Sequence, residues 1–241
     1  TMIPAQAMFR RGPLAALLAL SLAAAVVPAA RAADPSQFSQ AEKLVFVDHQ
    51  LANVKAPATL RYRFARTGTL ETPFEDDVRL DVKAAGTPCC TVHGEFLSGE
   101  RQVKLPDMEN AQANPVILFF LERDIREMER LTKGKSGYFR KRIRMGMVDA
   151  AQVKPVKLSF EGREIDAQEV TLSPYLDDPL RARYEKYAAK RYTFVLAPTV
   201  PGGVYQVRAA LPGALPSDAP ALEEVLTFAG TGEGAAPSNS K

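Results

Sequence analysis

The sequence predicts an α+β protein that is mostly antiparallel β, with a curved sheet or open half-barrel and a central helical lid. Short alternating segments bounded by turn residues occur both before and after the middle of the chain. Between them lies one long amphipathic segment that begins with an apolar run at residues 116–121. The sequence lacks the regular alternation of strands and helices that a parallel sheet requires.

The central segment has the signals of a helix that ends at Gly134. Asn114 can accept hydrogen bonds from the first free amides, and Pro115 loses no hydrogen bond at the first helical position. Gly134 is a typical stop, so we expect the helix to span residues 115–133. Its apolar positions recur at spacings of three and four: Leu118, Leu121, Ile125, Met128 and Leu131.

The polar side of this helix is predicted to carry two ion pairs. Glu122 with Arg126, and Arg123 with Glu127, stand four residues apart. Each such pair stabilises a helix by only about 0.2–0.5 kcal/mol. The apolar side must therefore hold the helix in place.

A second short helix is expected after Gly134, because Phe139, Ile143 and Met147 fall at helical spacing. A strand would partly fit the same residues, but it would place Lys141 on its inner face. Residues 130–147, the cationic segment, contain no acid. Their seven cations are Arg130, Lys133, Lys135, Arg140, Lys141, Arg142 and Arg144.

The rest of the chain is predicted to be mostly strands. The alternating segments are residues 59–65, 78–82, 89–97, 102–105, 155–160, 165–172, 192–196, 204–209 and 224–228. Glu161-Gly162 and Pro201-Gly202-Gly203 are predicted hairpin turns. Helical segments are expected at residues 35–54 and 180–190.

Residues 1–32 have the pattern of a leader and a secretory signal peptide. Arg10 and Arg11 precede an apolar run at residues 14–27, and Ala30-Arg31-Ala32 is a small-x-small cleavage site. We expect cleavage near Ala32 and a periplasmic or secreted product. Residues 33–229 would form a single β-rich domain, and residues 230–241 a disordered tail.

Cleavage would also change the charge balance. It removes three arginines and lowers the number of lysines and arginines from 31 to 28, which equals the 28 acids. A neutral total does not favour a nucleic-acid-binding protein. The cationic segment instead suits peripheral contact with an anionic membrane, where each cation contributes roughly 1 kcal/mol before screening.

The order of elements resembles the periplasmic half-barrels that carry lipoproteins, the LolA/LolB-like superfamily. The similarity covers most of the predicted mature chain and rests on the layout of strands and helices rather than on a sequence motif. It implies a carrier fold with an apolar interior and assigns no functional residue. LolB-like members are acylated, whereas this sequence has no cysteine near the cleavage site.

Cys89 and Cys90 are adjacent, and His93 follows three residues later. On a strand the two thiols would point to opposite faces, and adjacent Cα atoms lie about 3.8 Å apart, outside the usual disulfide range. We therefore expect one buried and one half-exposed thiol. A vicinal disulfide, a pair between chains, and a soft metal site with His93 are the alternatives.

The sequence contains no hydrolase elbow and no complete phosphate-binding loop. We predict a non-enzymatic periplasmic binding or carrier protein, without a cofactor, for a hydrophobic ligand such as a lipid or acyl group. The predicted ligand-binding residues are Leu118, Phe119, Leu121, Ile125, Met128, Arg140, Arg142 and Arg144. The alternatives are an envelope protein with a filled sheet, whose cationic segment docks a protein partner, and a thiol- or metal-handling protein.

Overall fold

The computed structural model describes residues 37–84, 89–215 and 217–233. The predicted leader and signal peptide, residues 1–32, lie outside these ranges. So do residues 234–241 of the predicted tail.

Among the described residues, eight antiparallel strands form one open sheet. They are β1 Ala58–Gly68, β2 Phe74–Lys83, β3 Thr91–Phe96, β4 Gln152–Phe160, β5 Arg163–Leu172, β6 Arg191–Leu196, β7 Val204–Leu211 and β8 Leu222–Glu233. Their order is β3-β2-β1-β8-β7-β6-β5-β4, so the edge strands β3 and β4 remain apart. Phe160, at the tip of the β4–β5 hairpin, lies 6.0 Å from Phe228 of β8 between ring centroids, which requires the sheet to curl. The predicted α+β half-barrel is confirmed.

The described residues also form three α-helices: α1 Gln40–Glu42, which continues as a π-helical turn at Lys43–Val47, α2 Val116–Thr132 and α3 Ser136–Asp149. The helices predicted on either side of Gly134 are therefore present. The segment predicted as a helix at residues 180–190 forms only 3₁₀ turns, at Arg181–Arg183 and Glu185–Ala189. Within the described residues, no helix is both long and apolar enough to cross a bilayer.

Two strand predictions need correction. Residues 102–105 do not form a strand, because Val103 makes only an isolated bridge with Phe96, and Pro106 has no amide to extend a ladder. β8 continues past the predicted boundary at residue 229, since it pairs with β1 as far as Ala58 and Glu233. Residues 230–233 thus belong to the sheet rather than to the tail.

The two faces of the sheet differ in polarity, as strand alternation requires. On β1, Leu60, Tyr62 and Phe64 are fully buried on the face that packs against α2. Arg61 and Arg63 point the other way, and Arg63 pairs with Glu75 at 3.2 Å.

α2 fills the concave face of the sheet. The ring of Phe120 lies 6.2 Å from that of Phe64. Phe119 lies so close to Gly94 of β3 that a Cβ on this glycine would be 2.5 Å from the phenyl ring. The interior of the sheet is therefore packed with side chains where α2 crosses it.

Candidate functional site

An apolar cavity of about 510 Å³ lies on the side of α2 that faces away from the sheet. It is lined by α2, by α3, by the loop after β3 and by residues 38–47, which we call the α1 segment. Its apolar lining is Phe38, Phe46, Val47, Leu105, Pro106, Met108, Leu118, Phe119, Leu121, Ile125 and Ile143, and its charged lining is Glu42, Glu122, Arg140 and Arg144. A space of this size, with few polar groups, is typical of small-molecule sites.

Six of the predicted ligand-binding residues line this cavity: Leu118, Phe119, Leu121, Ile125, Arg140 and Arg144. The structure separates Met128 and Arg142 from them. Met128 is fully buried in the core, because it lies nearer the sheet side of α2 than Leu121 and Ile125 do. Arg142 turns to the other side of α3.

The α1 segment supplies one part of the wall that the sequence did not predict, and Leu105, Pro106 and Met108 of the loop after β3 supply another. Ser39 caps α1, and its hydroxyl also donates to the carbonyl of Met147 at 3.2 Å, which ties the segment to α3. Phe46 and Val47 belong to the π-helical turn, a conformation that is frequent at functional sites. The apolar run at residues 44–47 was a signal, but its packing partner depends on tertiary structure.

The rim of the cavity carries one paired and one available arginine. Arg140 makes a two-oxygen contact with Glu122, at 2.9 Å to each carboxylate oxygen. Arg144 is exposed and has no ion-pair partner within the described ranges. A ligand with a negative headgroup would therefore meet, at Arg144, a guanidinium that no described carboxylate pairs with.

Arg142 is engaged elsewhere. Its guanidinium contacts the buried carboxylate of Asp178 at 3.0 Å and donates to the carbonyl of Pro174 at 2.9 Å. Tyr138 also donates to Asp178, at 2.8 Å, and burial together with this carboxylate raises the pKa of Tyr138. Arg142 therefore fastens the loop after β5 to α3.

Asn114 fixes the start of α2. Its Oδ1 accepts from the amide of Val116 at 3.1 Å, while its Nδ2 donates to the Tyr62 hydroxyl and to the Gly202 carbonyl, both at 2.8 Å. Asn114 thus caps the helix as predicted, although the N-cap position itself is Pro115. Gly202 has a φ of +76°, and a Cβ there would lie 2.7 Å from the Asn114 amide. Only glycine suits that position.

A buried ionic network holds the middle of α2 to the sheet. Arg123 of α2 and Arg66 of β1 each contact Glu224 of β8 at 2.7 Å. The next helical residue, Asp124, accepts from Lys190 at 2.5 Å. Tyr192 also donates to Asp124, at 2.5 Å. Within the described residues, no buried side-chain nitrogen or oxygen is left without a hydrogen-bond partner.

The network overturns one prediction and shifts two pKa values. Arg123 does not pair with Glu127, because α2 is buried over a wider arc than its apolar stripe indicated. Burial alone would raise the pKa of Glu224, but the charges of Arg123, Lys190 and Arg66 hold it below its ordinary value. Burial and the neighbouring Asp124 raise the pKa of Tyr192 well above its usual range.

Cys89 and Cys90 form a disulfide, so the prediction of two thiols is wrong. The pair precedes β3 rather than lying within it, and strand alternation therefore does not apply. His93 Nδ1 lies 2.6 Å from Asp107 Oδ1. Over the described part of the chain, no group of three or more His, Cys, Asp or Glu side chains is placed to hold a metal ion.

Comparison with known proteins finds matches among solved structures. No protein-family model matches the sequence, and no curated protein is significantly similar to it. Among solved structures, the chain is similar to the lipoprotein LppX of Mycobacterium tuberculosis, with a TM-score of 0.33 and 12% identity over 79% of this chain and 95% of that one. It is also similar to a LolA superfamily protein of Nitrosomonas europaea, with a TM-score of 0.22 and 8% identity over 83% and 97%. At these TM-scores and identities, neither similarity carries an argument about fold, ligand or activity.

Proposed function

We propose that this protein is a non-enzymatic, extracytoplasmic carrier that binds a lipid or acyl chain in the cavity beside α2. The observation that carries the proposal is an apolar space of about 510 Å³ with charged groups only from four lining residues. Each methylene that leaves water contributes about 0.8 kcal/mol, so ten contribute about 8 kcal/mol before the costs of association. The location follows from the predicted signal peptide at residues 1–32.

The charged rim suits a ligand with one acidic headgroup. Arg144 would contact the headgroup directly, and Arg140 would add its charge from the pair with Glu122. An Arg144→Gln variant is therefore expected to bind a long-chain fatty acid several-fold more weakly, while its affinity for the fatty alcohol of equal length stays unchanged. Equal losses for both ligands would contradict the headgroup contact.

Native mass spectrometry of the purified protein tests the ligand itself, and we expect a co-purifying amphiphile. Binding of a fluorescent fatty acid gives the affinity. Leu118 lines the cavity and is 44% exposed, so Leu118→Asp should weaken binding at least about tenfold without unfolding the protein. Leu215, 61% exposed and outside the cavity, supplies the matched control Leu215→Asp.

The same experiments distinguish the proposed carrier from the alternative functions. A protein that carries no amphiphile and shows no saturable fatty-acid binding would favour an envelope interaction protein with a filled sheet, which the packed concave face already suits. If Leu118→Asp and the wild type bind the fatty acid equally, the ligand binds elsewhere and the proposed site is wrong.

A further inference from the structure

The outer face of α3 exposes apolar side chains that no described residue covers. Met145 is 38% and Val148 is 50% exposed. At 100° per residue, these two share one helical face with Lys141, which is also exposed. Ile143 and Met147 point the other way, into the core.

The loop after β5 extends this face on one side. Arg142 and Tyr138 hold the loop through the buried carboxylate of Asp178. Two residues before and two residues after Asp178, Leu176 and Leu180 are 44% and 39% exposed. The loop and α3 are therefore fastened together by a buried polar contact while both keep apolar side chains in solvent.

The charge around these side chains is positive. Five exposed cations on α3 and the loop make no ion pair with the described residues: Lys141, Arg144, Arg181, Arg183 and Lys186. Three exposed acids lie on the same segments, namely Asp149, Asp177 and Glu185, beside the buried Asp178. Lys186 also lies 5.4 Å from the ring centroid of Tyr187. The surface thus combines exposed aliphatic side chains with excess cations.

We propose that this α3 surface, defined by Lys141, Met145, Val148, Leu176 and Leu180, docks on an anionic lipid bilayer. Aliphatic side chains enter the boundary between headgroups and acyl chains, and lysine or arginine beside them attracts anionic headgroups. The cores of protein–protein interfaces are instead rich in aromatic residues and poor in lysine. The composition of the α3 surface therefore favours a membrane over a protein partner.

The docking surface and the cavity are separate but adjacent. None of its five residues lines the cavity, whereas Arg140 and Arg144 of the same helix do. Docking would place the mouth of the cavity near the headgroups. The proposal stands without a ligand in the cavity, so the two can fail independently.

Co-sedimentation with vesicles tests the proposal. Vesicles of phosphatidylcholine mixed with phosphatidylglycerol should bind the purified protein, and vesicles of phosphatidylcholine alone should bind it at least about tenfold more weakly. Met145→Ser/Val148→Ser removes the apolar contact and Lys141→Glu reverses one charge. Each should lower binding to the mixed vesicles about tenfold, and added salt should affect the wild type more than Lys141→Glu. The wild type and all variants have the same N-terminal residues. Any vesicle binding by those residues is therefore equal in each comparison between a variant and the wild type.

Two control variants and one cavity variant separate the outcomes. Lys55→Glu makes the same charge change at another exposed site, and Leu215→Ser removes another exposed apolar side chain; both should bind like the wild type. Leu118→Asp should lose the fatty acid yet keep vesicle binding. The docking proposal is overturned if the wild type does not prefer anionic vesicles, if the controls weaken binding as much as the α3 variants, or if Met145→Ser/Val148→Ser has no effect.

Discussion

The two sides of α2 differ in how completely their side chains are buried and paired. On the side that faces the sheet, Arg123 and Asp124 are buried and each has a charged partner. On the outer side, Leu118 is 44% exposed and borders a cavity of about 510 Å³. One side of the helix thus serves stability, and the other leaves apolar surface for a ligand.

This difference shows that one apolar stripe can serve both a cavity and the core. Leu118, Leu121 and Ile125 line the cavity, although Leu121 and Ile125 are nearly fully buried, and Met128 of the same stripe lies in the core. The core side combines Phe120 with two ionised residues that a helical pattern assigns to solvent. Four predictions, in decreasing order of magnitude, test this difference between the two sides.

Asp124→Ala should lower the free energy of unfolding by about 3–5 kcal/mol, because it leaves the buried ammonium of Lys190 without its counter-charge. Denaturant unfolding followed by circular dichroism measures this. Asp124→Leu/Lys190→Met removes both charges and should recover most of the loss. A loss below about 1 kcal/mol for the single variant would mean that the sheet side of α2 is not fixed by its charges.

The second prediction concerns acid. Because the pKa of Glu224 is lower in the folded protein than in the unfolded chain, its contribution is complete above the ordinary carboxyl pKa. The contribution is lost as the pH falls through the lowered value. Glu224→Gln should therefore flatten the fall in stability below the ordinary carboxyl pKa and lower stability at neutral pH. An unchanged acid slope in chemical unfolding measured across pH would refute this.

Gly94→Ala tests whether the packing of α2 against β3 affects the cavity, because Phe119 contacts Gly94 and also lines the cavity. The added methyl must displace the phenyl ring, at a cost of about 1–3 kcal/mol. Since Phe119 also lines the cavity, affinity for a fluorescent fatty acid should fall as well. Gly137→Ala is the control: no atom lies within 4 Å of the new Cβ, and in α3 it should stabilise by up to about 1 kcal/mol.

The smallest effect is expected at the rim. Glu122→Gln removes the partner of Arg140 but leaves that arginine in solvent, so the free energy of unfolding should change by less than about 1 kcal/mol. Binding of a fatty acid should become slightly stronger, because Arg140 then offers an uncompensated charge. A destabilisation comparable with that of Asp124→Ala would erase the distinction between the two sides.

Local patterns predicted the elements that depend on neighbours in the sequence. The helix spacing around Ile125 and Ile143 and the turn at Gly202 and Gly203 are each decided within a few residues, and α2, α3 and the β6–β7 hairpin form there. Strand alternation likewise located β1 and β2. These elements were enough to give the fold class.

Features that depend on distant partners could not be predicted in this way. Arg123 donates to Glu224, which lies 101 residues away in the sequence. No local pattern around either residue predicts this contact. The cavity needs residues of the α1 segment, such as Phe46, to be brought beside α2. Cys89 and Cys90 precede the strand that begins at Thr91, so strand alternation does not decide where their side chains point.

The pairing of β1 with β8 has a consequence for assembly. These are the earliest and latest strands of the chain, and they lie side by side in the middle of the sheet. During synthesis the hydrogen-bonding edge of β1 must wait until residues 222–233 exist, a closure over nearly the whole domain that folds slowly. In a polypeptide that ends before β8, strands β1–β3 and β4–β7 would form two groups that do not pair with each other. Each group would expose an unpaired strand edge, which promotes aggregation.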